Sequence, residues 1–257
     1  MKRMYMVTVM ALVAGMSFPA MANIDLTVDF SVLPTTQGWS SDFGNGGVDP
    51  DTQVDTGLQI WDMDNVQPGF SNYERTDHVS LQTGTPTQYH GRVVIDHVDF
   101  SPTATSSTEV ELVFFKDAAS GAQIWLNAVD GGLDYNIGGP WTQIATGLIT
   151  TGVHTYEWQA TISGGPRNAT VTTDIWVDGT QIGDDVDMKN NGSITDLIQF
   201  GDDQTNAPGS GGGTGAQFDQ HHKWHSFHIG QGPIPEPATL TLVGLGSGLM
   251  LLRRRRA

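Results

Sequence analysis

Apolar and polar residues alternate with a period of two through the middle of the chain. Ile24, Leu26, Val28, Phe30 and Val32 are separated by Asp25, Thr27, Asp29 and Ser31, which is the pattern of a strand with one face buried and the other wet. Comparable runs lie at 91–100, 109–115, 123–129, 153–162, 169–177, 194–200 and 223–229. Turn-forming groups such as Asp130-Gly131-Gly132, Gly138-Gly139-Pro140, Gly164-Gly165-Pro166 and Asp178-Gly179 separate them. No run here carries the 3.6-residue apolar stripe of a helix. The pattern therefore predicts an all-β, antiparallel β-sandwich. From 33 to 78 the alternation loosens, and Trp39, Phe43, Leu58, Ile60, Trp61 and Phe70 stand scattered among Gly, Asp, Asn and Thr. This stretch reads as loops over one edge of the sandwich, with a short strand at 57–61, because so few apolar residues would not supply a second core.

The two ends follow different rules. Lys2 and Arg3 precede an apolar run over 4–16, then Pro19 and Ala20-Met21-Ala22. A basic start, a short apolar helix and an A-x-A exit make up a secretory signal peptide removed after Ala22, with Ala20 and Ala22 as the cleavage residues. A permanent anchor fits poorly, since such a run rises only about 20 Å as a helix against a hydrocarbon core of about 30 Å. At the other end Pro235-Glu236-Pro237 leads into an apolar stretch over 239–252 and then Arg253, Arg254, Arg255 and Arg256. The arginines hold this end on the cytoplasmic side while the short hydrophobic helix enters the bilayer transiently. The prolines stop that helix and leave an extended strip outside the membrane. The resulting organisation is a signal peptide at 1–22, a β-sandwich domain at 23–230, a linker at 231–234 and a sorting tail at 235–257.

The C-terminal triplet of features resembles the PEP-CTERM sorting signal of Gram-negative bacteria, which has Pro-Glu-Pro, a short apolar helix and terminal arginines in this order. That resemblance implies an exosortase-type membrane protease as partner and delivery to the outer cell surface or an exopolysaccharide matrix. The body carries a second resemblance. His154-Thr155-Tyr156 in one strand, followed by Trp176-Val177-Asp178-Gly179, is similar to the concanavalin A-like, laminin-G-type jelly roll, and Phe200-Gly201-Asp202 with Trp224 fits its closing section. This implies a fold and not an activity.

Charge narrows the function. Between residues 23 and 234 only 6 basic residues stand against 27 acidic ones, so no basic surface exists for nucleic acid. The absence of Cys removes thiol catalysis and Cys-ligated metals. Asp outnumbers Glu and gathers in turns, and short carboxylates on loops suit Ca²⁺. Asp49, Asp51 and Asp55 are the expected ligands, although the run departs from the EF-hand, with Val54 at its sixth position and Ile60 at its twelfth.

A hydrolase of the glycoside hydrolase 16 type would need an E-x-D-x-x-E strand. The nearest runs fall short: Asp96 and Asp99 lack the leading Glu because Val94 stands there, and Glu109 and Glu111 are followed by Val113 and Phe114. His221, His222, His225 and His228 do not converge as four ligands, because on a regular strand 222 and 228 face one way and 221 and 225 the other. Trp125 and Trp176 alternate with aliphatic neighbours, which puts their indoles on outer faces where they could stack on sugar rings. The expected function is noncatalytic carbohydrate binding or matrix structure, and the alternative is an extracellular polysaccharide hydrolase or lyase.

Overall fold

The computed structural model describes residues 24–44, 61–65, 70–76, 88–99, 110–118, 121–129, 131–136, 141–164, 169–188, 196–203 and 220–234. These form β1 (Asp25–Val28), a 3-10 turn (Pro34–Gln37), β2 (Ser40–Gly44), β3 (Trp61–Asn65), β4 (Phe70–Arg75), β5 (Gln88–Asp99), β6 (Val110–Asp117) and β7 (Ala122–Val129). They continue with β8 (Gly132–Asn136), β9 (Trp141–Ala145), β10 (Gly152–Ser163), β11 (Thr170–Val177), β12 (Thr180–Met188), β13 (Leu197–Asp203) and β14 (Gln220–Gln231). The strands make two 7-stranded antiparallel sheets. The first runs β1-β14-β5-β10-β11-β12, with β3 pairing the other half of the β14 edge; the second runs β2-β4-β13-β6-β7-β8-β9. The predicted signal helix and tail helix lie outside the described residues.

The period of two in the sequence becomes burial in the sheets. In β10 His154, Tyr156, Trp158, Ala160 and Ile162 are buried while their neighbours are not, and β11 buries Val171, Thr173, Ile175 and Val177. Opposite them the second sheet contributes Phe115, Ile124, Leu126, Ile198 and Phe200. Full burial of each large apolar side chain contributes about 1.5–3 kcal/mol. Phe200 gathers the aromatic centre, with ring centroids 4.4 Å from Phe227, 4.9 Å from Trp39, 5.2 Å from Trp224 and 6.1 Å from Phe30. Beside it, Trp158 on β10 lies opposite Gly91 on β5, and a β-carbon at position 91 would stand inside the indole.

Asp178 explains why the two body motifs occur together. It sits with Gly179 in the two-residue hairpin between β11 and β12, at φ 51° and 76°, the left-handed pair this tight turn requires. Its carboxylate then reaches back to β10, accepting the Thr155 N–H at 2.8 Å and meeting His154 Nδ1 at 2.7 Å. Its own N–H donates to Thr155 O at 2.8 Å. His-Thr and Asp-Gly are thus two sides of one contact joining three adjacent strands.

Three local readings change. The first strand ends at Val28 because Asp29 turns the chain: its carboxylate accepts Ser31 N–H and its N–H donates to Gln37 Oε1, which sends Phe30 into the core. The stretch from 33 to 78 is not only loops, since β2 and β4 belong to the second sheet, with β4 paired between β2 and β13. Finally, β14 runs through Gln231 into the segment read as a linker. Gly232 N–H then bonds Gln88 O at 2.8 Å, and Ile234 N–H bonds Gln159 Oε1 at 3.2 Å.

Candidate functional site

Facing away from the core, the second sheet carries a row of polar positions at right angles to its strands. The register aligns Asp42, Asn72, Gly201, Glu111, Asn127, Asp134 and Gln143 from β2 through to β9. At about 4.8 Å per strand the row is about 29 Å long. A second row beside it aligns Ser40, Glu74, Gln199, Phe114 and Trp125. Register shifts in β6 between Glu111 and Val113 allow both Glu111 and Phe114 to face outward, three residues apart.

The centre of the surface is buried and polar: Asn72, Glu111 and Asn127 are at most 2% exposed. Trp125, Asp134 and Asp42 are half-buried. Trp125 is pinned twice, with its indole N–H 2.9 Å from Glu111 Oε2 and its ring stacked on Phe114 at 4.3 Å. Gly201, with no side chain, stands between Asn72 and Glu111 in the row. Asn72 Oδ1, Gln123 Oε1 and Asp134 Oδ1 are buried acceptors with no hydrogen-bond partner. Such atoms call for a ligand or water.

Burial raises the Asp134 carboxyl above its usual range, against the opposing hydrogen bond from Gln143. Burial likewise raises Glu74, and the nearby Asp42 charge adds to it.

Trp125 therefore falls within this surface. Trp176 faces out from the first sheet, opposite Glu157 and Gln181, so the two indoles occupy opposite sides of the sandwich and cannot share one ligand. Asp49, Asp51, Asp55, Pro235, Glu236, Pro237, Arg253 to Arg256, Ala20 and Ala22 lie outside the described residues.

The histidine arrangement differs from the regular-strand expectation. A bulge between Trp224 and Ser226 reverses the alternation, so buried His222 faces the core while His228 faces out and meets Asp25 Oδ1 at 2.8 Å. His222 instead joins two histidines distant in sequence. His97 Nδ1 is 2.9 Å from His222 Nδ1, His97 Nε2 is 2.6 Å from the Tyr156 hydroxyl, and the His154 ring lies 5.8 Å from that of His97. Burial, reinforced by His222 and His154, holds His97 well below the usual imidazole range. Among the described residues no three His, Asp or Glu side chains are placed to hold a metal ion.

The sequence reading passed over Asn72, Asn127 and Asp134. The signal available was a polar residue interrupting otherwise apolar β7, where Asn127 stands between Leu126 and Ala128.

Two opposed sheets of this connectivity define a jelly-roll β-sandwich, and comparison with solved structures agrees. The chain is similar to an endo-1,3-beta-glucanase from Streptomyces sioyaensis at a TM-score of 0.52 and 13% identity, covering 84% of this chain and 99% of that one. Weaker likenesses, at TM-scores of 0.47 and 0.46, link it to an alginate lyase from a Chlorella virus (10% identity, 80% of this chain, 99% of that one) and to an alginate lyase in complex with an alginate trisaccharide (11% identity, 81% and 98%). No curated protein matches the sequence. Residues 233–256 match the PEP-CTERM protein-sorting motif. The chain therefore carries the sorting signal of exported, surface-directed proteins.

Proposed function

We propose that this is a noncatalytic polysaccharide-binding protein of the outer cell surface or extracellular matrix, delivered there by an exosortase-type membrane protease that acts on its tail. The observation that carries the reading is the polar row with Trp125 fixed beside it. Along the row Asp42 and Asp134 are half-buried and Gln143 is exposed, with half-buried Glu74 beside them, so accessible polar groups lie toward its two ends, and the half-buried indole of Trp125 supplies a stacking face between them. Pull-down on insoluble polysaccharides and affinity electrophoresis in soluble ones test this. Binding should be lost in Trp125→Ala and retained in Trp176→Ala; loss in Trp176→Ala alone would move the site to the first sheet.

One observation favours the hydrolase or lyase reading: Asp42 and Glu74 lie diagonally across β2 and β4, and Glu74 is raised. They stand toward one end of the row, four and three strands from Trp125 on β7. Glu111, the acid bonded to Trp125, has Gly201 and Asn127 as its row neighbours. New reducing ends or unsaturated products, absent in Glu74→Gln, would establish the enzyme.

A further inference from the structure

The sorting motif begins while the chain is still bonded to the sandwich. Its match starts at residue 233. Gly232 N–H donates to Gln88 O at 2.8 Å, His90 Nδ1 donates to Gly232 O at 3.0 Å, and Ile234 N–H donates to Gln159 Oε1 at 3.2 Å. His90 and Gln159 are partners across β5 and β10 and alternate with the core residues Tyr89, Trp158 and Ala160. Residues 232–234 therefore form a strap that crosses the outer face of the first sheet from β14 over β5 to β10. His90 is accordingly only 6% exposed on that outer face, beside a cleft of about 250 Å³ that Asp25, His228 and Pro233 also line. The strap turns at Gly232, whose φ of 102° an L-residue rarely adopts.

Four residues, 235–238, separate Ile234 from the apolar stretch at 239–252. Even fully extended they reach only about 14 Å. A docked protein covers about 800 Å² of its partner, a patch about 30 Å across. A protease that grips Pro235-Glu236-Pro237 at the membrane surface therefore overlaps the ground around the strap. We infer that this ground is the docking surface for the membrane protease that processes the tail; the inference rests on the reading that an exosortase-type protease acts there. Its accessible groups are exposed Thr161 and Pro233 and half-buried Gln159, Thr172 and Asp174. Thr161 stands opposite Thr172, and Gln159 opposite Asp174, in the β10–β11 register. Hydroxyls, an amide and one carboxylate suit a polar contact that forms and releases with each substrate. The folded domain is thereby part of what the protease reads.

The chain has no Cys, so Thr161→Cys places a single thiol beside the strap. Val153→Cys places one at an exposed position on the same face of β10, about 26 Å away along the strand. Each full-length variant is coupled to a short polyethylene glycol maleimide, held in membranes that contain an exosortase-type protease, and followed by intact mass for loss of the tail. Processing should be about tenfold slower with the label at 161 than at 153. A spacer of about thirty Gly/Ser residues after Ile234, with a mean reach of about 30 Å, should restore it. Equal processing of the two labelled chains overturns the docking surface and leaves the protease reading standing. A slowing at 161 that the spacer does not relieve also overturns it. No processing of the unlabelled native chain overturns both. The strap has its own measurement in amide exchange: the Ile234 N–H should exchange about tenfold slower than in an unfolded peptide, the equivalent of one hydrogen bond, and Gln159→Ala should remove that protection. An unprotected Ile234 in the native chain overturns the strap and the surface with it.

Discussion

Replacing Asp178 separates two contributions that the native residue combines. Its carboxylate accepts from Thr155 N–H and meets His154 Nδ1, while its backbone holds φ 51°. Glycine keeps the backbone conformation and deletes both side-chain contacts. A hydrogen bond to a charged group is worth about 1.5–3 kcal/mol. The Asp178 side chain is 45% exposed, so solvent screening brings each contact down to about 1 kcal/mol, and Asp178→Gly should cost about 2 kcal/mol for the pair. Alanine loses the same contacts and also strains the left-handed position, adding about 1 kcal/mol. Asparagine tolerates that conformation and keeps one acceptor, so its cost should be about 1 kcal/mol. Urea unfolding, read as midpoints at constant slope, should therefore rank native, Asn, Gly and Ala in falling order. Glycine as stable as the native residue would refute the side-chain contribution. Alanine equal to glycine would refute the backbone contribution.

Other outcomes follow from the packing and charge. Gly91→Ala should destabilise the fold by about 1–3 kcal/mol through the clash with Trp158, and Trp158→Phe should relieve part of that loss; strict additivity in the double-mutant cycle would contradict the packing. His97 is held neutral by burial, so its folded value lies below its unfolded one. Its contribution to stability is complete above the unfolded value and is lost as pH falls toward the folded one, with a slope of about 1.4 kcal/mol per pH unit. Thermal melts from about pH 7 to about pH 5 should show this slope, reduced in His97→Gln. For the proposed calcium site, CaCl₂ should raise the melting temperature more than NaCl of equal ionic strength, and changing Asp49, Asp51 and Asp55 to Asn should abolish the difference.

Strands with one buried face and one wet face were legible in the sequence, because solvent enforces the alternation: the runs read at 153–162 and 169–177 are β10 (Gly152–Ser163) and β11 (Thr170–Val177). The polar row was not. On β6 and β7 both faces are covered, so Val110–Asp117 and Ala122–Val129 read as nearly continuous buried runs in which Glu111 and Asn127 are single interruptions. β4 was hidden for a related reason: its outward positions are the polar Asn72 and Glu74, and inward it offers the core little besides Tyr73. The histidine cluster required pairing information, since His97 and His222 are 125 positions apart and the bulge that turns His222 inward leaves no pattern in the local sequence. Trp125 could be singled out from alternation, but the opposite placement of Trp176 depends on which sheet each strand joins.

The course of the chain at its two ends has a mechanical consequence. Gln231 N–H bonds Ile24 O at 2.7 Å, so both exits lie side by side at one end of the antiparallel β1–β14 pair. Opposed pulls on the two ends would unzip that pair one bond at a time, the weakest loading a ladder can experience. A pull on the C-terminal end alone acts along β14 against β5, whose register extends from His221 to Gln231. In that direction the ladder bonds share the load in shear. Were the chain held through its C-terminal end and loaded on the second sheet, as the proposed function would have it, tension would cross the aromatic core and leave through β14 along its strong axis.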